Sequence, residues 1–346
     1  MHHVYISVSG EDRVARYGMD PATGDLDFVE DIALSGRPAY AATDPQRRYM
    51  YVARKDALQI TSFAIDTGSG ALTQIGSVST KADPAYLATD KTGRYLFSAS
   101  YFDGITAVHG IGENGAVLET PIEWIATGMR AHSIESDPSN RFVFVPHIFR
   151  DDAPNTIFQF RFNANTGHLK ANEPDRCDPP GPDGPRHFCF HPELPVVYVS
   201  NEQGCSVGVY ALDANRGTLT HRATVPTLPE GWQGDNKCSQ IRITPNGRHL
   251  YAPNRGHDSI AMFTVDPVRG DLTAIGHAAA ETVPRACQID PDGRYLLSAG
   301  HESGRLAVYR IEEESGQLER VGTHALGALP MWMTILPTAA RTGTMQ

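Results

Sequence analysis

Arg186 and His187 open one short apolar stretch of this 346-residue chain, and Asn201 and Glu202 close the next. Two further arginines, Arg255 and Arg285, and two further histidines, His132 and His301, stand at corresponding points of similar stretches. Guanidinium groups gathered in one place favour a carboxylate or a phosphate, which accepts their fork of N–H donors bidentately. A histidine and a glutamate beside them are the groups needed for general acid and base work. Competing signatures are missing: the chain has no Gly-x-Ser-x-Gly elbow, no phosphate-binding Gly-rich loop ending in Lys, and no His-Glu-x-x-His pair. His132 and Ser133 are adjacent and alternate faces of a strand, so they cannot act as a dyad. The histidines form no three-ligand spacing, and no metal or cofactor is expected.

What positions these residues is a repeat. The phrase Asp/Thr-Pro-x-Gly-Arg-Tyr followed by apolar residues recurs around Pro45, Lys91, Pro138, Pro192, Pro245, Pro291 and Pro337, at spacings of 46, 47, 54, 53, 46 and 46 residues. Each copy has an apolar strand, a tight turn, a second strand with period-two alternation such as Tyr295-Leu296-Leu297-Ser298-Ala299, and a hairpin. Gly24, Gly70, Gly270 and Gly316 mark four of the hairpins. Pro, Gly and Asp at these points supply turn geometry. Four strands per repeat with almost no helix signal predicts an all-β, seven-bladed β-propeller made of four antiparallel strands per blade. A sandwich would leave the 46-residue period unexplained. The seventh blade is split: Pro330–Leu336 supplies its first strand and Val4–Val8 its second. The N-terminal strand thus closes the C-terminal blade and removes the free edges of the ring. Residues 1–346 are expected to form one domain.

Equivalent positions of a propeller point the same way, so the repeats can be stacked on their turns. The first residue of the first strand reads Ala39, Ala85, His132, Arg186, Ser239, Arg285 and Met331 around the ring. The next reads Tyr40, Tyr86, Ser133, His187, Gln240, Ala286 and Trp332. The second strands end at Arg54-Lys55, Ser100-Tyr101, His147-Ile148, Asn201-Glu202, Asn254-Arg255 and Gly300-His301. A strand entering from one face and its partner returning to it bring both sets to one mouth of the channel. His132, Arg186, Glu202, Arg255, Arg285 and His301 are predicted to converge there, with His147, His187, Asn201, Gln240 and Trp332 as further contacts. Tyr40 and Tyr86 read as packing or a stacking wall, and Arg94, Arg248 and Arg294 as turn residues that stabilise the blades. Insertions at 150–154, 178–185 and 226–236 are expected to rim the site.

Composition narrows the partners. A net charge of −10 disfavours nucleic acid and anionic membrane as partners. No apolar run approaches the ~20 residues that span a bilayer. The segment Met1-His2-His3-Val4-Tyr5-Ile6-Ser7 reads as a strand and not as a signal peptide. The five cysteines, Cys177, Cys189, Cys205, Cys238 and Cys287, have no Cys-x-x-Cys spacing and read as small buried hydrophobes. A cytoplasmic protein is expected, and the sequence leaves its oligomeric state open.

Several stretches resemble those of the seven-bladed β-propeller lactonase family. They are Gly184-Pro185-Arg186-His187 with Val199-Ser200-Asn201-Glu202, Ile243 to Tyr251, Pro284-Arg285 with Asp290 to Gly300, and Pro330-Met331-Trp332. The family includes propeller-type bacterial 6-phosphogluconolactonases and the fungal carboxy-cis,cis-muconate cyclases. The resemblance implies a hydrolase acting on a small anionic lactone, most simply 6-phospho-D-glucono-1,5-lactone, in carbohydrate metabolism. A lactone-forming carboxymuconate cycloisomerase is the alternative, and a non-catalytic interaction platform a second one. By motif, the family's proposed His, Arg, Glu and second Arg fall on His132, Arg186, Glu202 and either Arg255 or Arg285. Arg130 and His147 depart from the phosphogluconolactonase pattern. His132 is the expected base with Glu202 in support, and the reverse assignment stays open.

Overall fold

In the computed structural model, residues 1–150 and 153–338 are described, and they form seven antiparallel units arranged around a channel, six of four strands and one whose inner strand is split into two short pieces. The first blade is the split one, in the order Pro330–Pro337, His2–Val8, Arg13–Met19 and Leu26–Ala33. Val4 pairs with Ile335, Ile6 with Met333 and Ser7 with Trp332, so the N-terminal strand closes the ring as the repeat predicts. Blades two and three begin at Pro38 and Pro84, blades five and seven at Pro185 and Pro284. Helix is confined, among the described residues, to one short turn at Ser9–Glu11. None of these residues forms a helix long and apolar enough to cross a membrane.

The recurrent turn has a physical cause. In four blades the Asp carboxylate accepts the backbone N–H groups four and five residues on: Asp90 from Arg94 and Tyr95 at 2.8 and 3.0 Å, Asp290 from Arg294 and Tyr295 at 2.7 Å each. Asp44 and Asp137 do the same. Thr244 substitutes its hydroxyl, accepting from His249 N at 3.1 Å, and His191 uses Nδ1 for Glu193 and Leu194. A short side-chain acceptor that satisfies turn donors is what the position requires.

Blades are then tied to their neighbours. Tyr5, Tyr51, Tyr198 and Tyr251 each donate from the second strand to the carbonyl of a hairpin glycine in the next blade: Gly70, Gly115, Gly270 and Gly316, at 2.6–3.0 Å. At Gly316 φ is +72°, and an added Cβ would lie 2.2 Å from the His249 ring, so the hairpin needs glycine for both conformation and space. Arg94, Arg141 and Arg248 also reach across to the following blade, to Ala164 O, Ala214 O and Glu314.

Period-two alternation in the second strands does not separate a wet face from a dry one. Tyr95–Ser100, Phe142–His147, Val196–Asn201 and Tyr295–Gly300 are buried at every residue. These strands lie inside the blade with another blade against each face, so both sets of side chains are covered.

Candidate active site

The innermost strands aim the charged residues by means of bulges. Pro185 pairs with Asn201 and His187 with Ser200, which leaves Arg186 as an extra residue; Arg285 is extra in the same way between Pro284 and Ala286. Such a bulge bends the strand and re-aims the side chain. In two blades the inner strand is curtailed. Blade four keeps Glu135–Ser136, with His132 in the irregular segment before it, and blade six keeps Lys237–Cys238 and Arg242–Ile243. The residue just before the inner strand takes a left-handed backbone in four blades, at Arg37 (φ +61°), Gly184, Val283 and Leu329, and Arg130 (φ +73°) takes it at the matching point of blade four, before Ala131. That conformation disfavours a bulky side chain and is tolerated where function or surroundings demand it.

At one mouth these elements enclose a cavity of about 650 Å³, within the range of small-molecule sites. His132, Glu202, Arg255, Arg285 and His301 all line it, as the register predicts. Glu202 is the hub. Its Oε2 accepts Arg186 Nε and Arg255 Nη2, both at 2.8 Å. Arg186 also donates to Ser239 O at 2.7 Å and Arg255 to Cys238 O at 2.8 Å. Arg186 is 1% exposed and lies behind the cavity wall, committed to Glu202 and to the backbone. Arg285 differs: its Nη2 makes a long contact of 3.4 Å with the Tyr40 hydroxyl, and its buried Nε has no partner. Arg255 Nε is likewise without one. Both guanidinium groups line the cavity with hydrogen-bonding capacity unspent, which equips them to hold an oxyanion.

Charge sets the protonation states. Burial acts to raise the Glu202 pKa, but Arg255 and Arg186 overcome it and hold the carboxyl below its ordinary range. Burial, then Arg186 and Arg285, push His132 well below an ordinary histidine, so its imidazole is neutral. Burial and the nearby Arg255 bring Arg186 itself down to about 10. Among the described residues, seven Arg and Lys side chains line the cavity against three carboxylates, Asp56, Asp83 and Glu202. A mouth this positive in a chain of net charge −10 concentrates anions.

Other residues expected at the site lie elsewhere. His187 sits deeper, where rings from several blades meet across the axis: it lies 5.2 Å from His132 and 5.1 Å from Tyr86, and Trp332 lies 5.4 Å from Tyr86 and 5.5 Å from Tyr40. Trp332 borders the depression at the opposite mouth. Gln240 accepts Cys287 N at 2.8 Å and so ties blade six to blade seven. Asn201 donates to Ser206 within its own blade. His147 is buried against Phe158, with its nitrogens on Val145 O and Thr127. The second strand is covered on both faces there, so these side chains cannot reach the channel. Sequence reasoning read Tyr40 as packing or a stacking wall and gave no site role to Lys55, Arg37, Arg130 or Lys237, which all line the cavity. Tyr40 and Lys55 do occupy the stacked rows that identified the others.

His147 therefore has a consequence for stability. Burial pushes it from 6.5 to about 4. Between those values the unfolded chain takes up a proton that the folded chain refuses, so stability falls as pH is lowered, by up to ~1.4 kcal/mol per pH unit. The urea midpoint of His147→Gln is expected to fall less steeply over this window than that of the wild type. An identical slope would show that His147 is not buried and neutral.

Comparison with known proteins agrees with this geometry. The family model described as "Lactonase, 7-bladed beta-propeller" matches residues 3–335. A 6-phosphogluconolactonase of Pectobacterium carotovorum is 34% identical over 334 residues, covering 96% of this chain and 85% of that one. One from Cronobacter sakazakii is 33% identical, covering 96% and 97%. Among solved structures, the periplasmic gluconolactonase of Pseudomonas aeruginosa superposes with a TM-score of 0.89 at 26% identity, covering 97% of this chain and 99% of that one. With the repeat, the ring closure and the family match in agreement, the chain belongs to the seven-bladed β-propeller lactonase family.

Proposed function

We propose that this protein hydrolyses the lactone of an anionic sugar acid, with 6-phospho-D-glucono-1,5-lactone as the best-supported substrate. The observation that carries this reading is the floor of the cavity. There Arg255 and Arg285 line the cavity with hydrogen-bonding capacity unspent, Glu202 is fixed between Arg186 and Arg255, and a neutral His132 stands beside them. The relatives named 6-phosphogluconolactonase support the phosphorylated substrate. In this reading Arg285 faces the carbonyl oxygen, where charge develops as water adds, and fixed positive charge there lowers the barrier. Neutral His132 accepts the proton of the attacking water. A substrate anion seated among the arginines offsets the field that keeps His132 from protonating, so binding itself makes the base stronger. Glu202 holds the guanidinium groups in register and balances their charge. A hydrolysis screen over 6-phosphogluconolactone, gluconolactone and a muconolactone tests the reading. The highest kcat/KM is expected for the phosphorylated lactone. Preference for the unphosphorylated sugar would move the assignment to a gluconolactonase, muconolactone turnover would move it to the cycloisomerase, and no turnover of any would overturn it.

A further inference from the structure

Opening a lactone also requires a proton for the departing ring oxygen, because an aliphatic alkoxide leaves poorly without one. Glu202 is ionised between two arginines and has no proton to give, and His132 holds one only after it has taken it from the attacking water. We propose that Tyr40 is the general acid of this site and donates its phenolic proton to the ring oxygen of the lactone. The inference rests on the lactonase reading above.

Tyr40 lines the cavity although it is only 3% exposed. Its ring is clamped against Trp332 at 5.5 Å and Tyr86 at 6.3 Å, which fixes where the hydroxyl points. Arg285 faces the oxygen as a donor, and the phenol's own proton has no acceptor among the described residues. The other charged groups acting on it are Lys55 from its own blade and Arg186 from blade five. Burial tends to raise the phenol's pKa, and Arg285, Lys55 and Arg186 more than reverse that, leaving it below its ordinary value. Such a phenol is a stronger acid than one in water. The phenolate it leaves behind is stabilised by Arg285.

The step balances. The water oxygen bonds to the carbonyl carbon while a water proton passes to His132. The bond from that carbon to the ring oxygen then breaks, its electron pair stays on the ring oxygen, and the Tyr40 proton joins it there. The His132 proton returns through solvent to the phenolate, and the product acid ionises. Arg285 thus serves both the carbonyl oxygen and the phenolate.

The test compares a δ-lactone substrate with its analogue in which sulfur replaces the ring oxygen, because a thiolate leaves without protonation. For Tyr40→Phe, kcat on the oxygen lactone is expected to fall about 100-fold, with KM within about threefold, as loss of a general acid predicts. On the thiolactone the loss is expected to stay under about fivefold. Independently of activity, ultraviolet difference titration of the wild type should show a phenol ionising below the ordinary ~10, and Tyr40→Phe should lack it. Equal losses on the two substrates, a loss confined to KM, or an early-ionising phenol that persists in Tyr40→Phe would each overturn the proposal. A wild type that shows the early phenol but turns over neither substrate would overturn the lactonase reading, and the acid role with it.

Discussion

Arg285→Ala is expected to lower kcat/KM for lactone hydrolysis by two to three orders of magnitude while leaving the fold close to wild-type stability. Removing one preorganised donor from a developing oxyanion costs about 100- to 1,000-fold in other acyl-transfer sites. Arg285 has unused hydrogen-bonding capacity and one long contact, so little structure depends on it. Arg186→Ala is the contrasting case. It strands the Glu202 carboxylate with one arginine in place of two, and breaking a buried pair costs roughly 3–5 kcal/mol. That variant should lose both stability and activity. Adding Glu202→Gln to Arg186→Ala should restore part of the stability and none of the activity. Steady-state kinetics and chemical denaturation on the same preparations measure both. A loss of less than twofold for Arg285→Ala would remove it from the chemistry, and a stable Arg186→Ala protein would show that the ion pair does not hold the floor.

His132→Ala is expected to reduce kcat by 100-fold or more, within the range for loss of a general base. The pH profile separates this from a packing effect. A base must be deprotonated, and burial with the arginines holds His132 well below the ordinary 6.5, so kcat/KM should stay level as pH falls through 6.5 and decline only at lower pH. The acid limb of kcat reports the substrate complex, in which the bound anion offsets the arginines, so it should lie at higher pH than the limb of kcat/KM. Glu202→Gln should weaken the site and move the limb to lower pH, because His132 then feels the charge of Arg186 and Arg255 without the carboxylate that balances it. If His132→Ala keeps near wild-type rates with the wild-type profile, the base lies elsewhere, and His301 and His187 are next by position.

Much of this was legible in the residues because a propeller is built by repetition. A side-chain acceptor at the turn, a glycine at the hairpin and apolar strands at a period near 46 residues each answer a local demand. The fold class, the blade count and the split blade follow from them. The register argument also located the mouth, since equivalent positions must point alike: His132, Glu202, Arg255, Arg285 and His301 meet there. What tertiary structure alone decided is how each of those groups is used. Arg186 and Arg285 sit at the same one-residue bulge, but Glu202 and Ser239 O draw Arg186 behind the wall while Arg285 stays in the cavity. Coverage of the second strands on both faces took His147 and Asn201 out of reach of the channel. The field of several arginines, supplied by different blades, set the charge of Glu202, His132 and Tyr40. Such a field depends on distances between residues up to 245 positions apart in the chain, and Coulomb energies in a buried site change steeply with distance and dielectric. A pattern of residue types carries the direction in which a side chain leaves its strand, but it does not carry those distances.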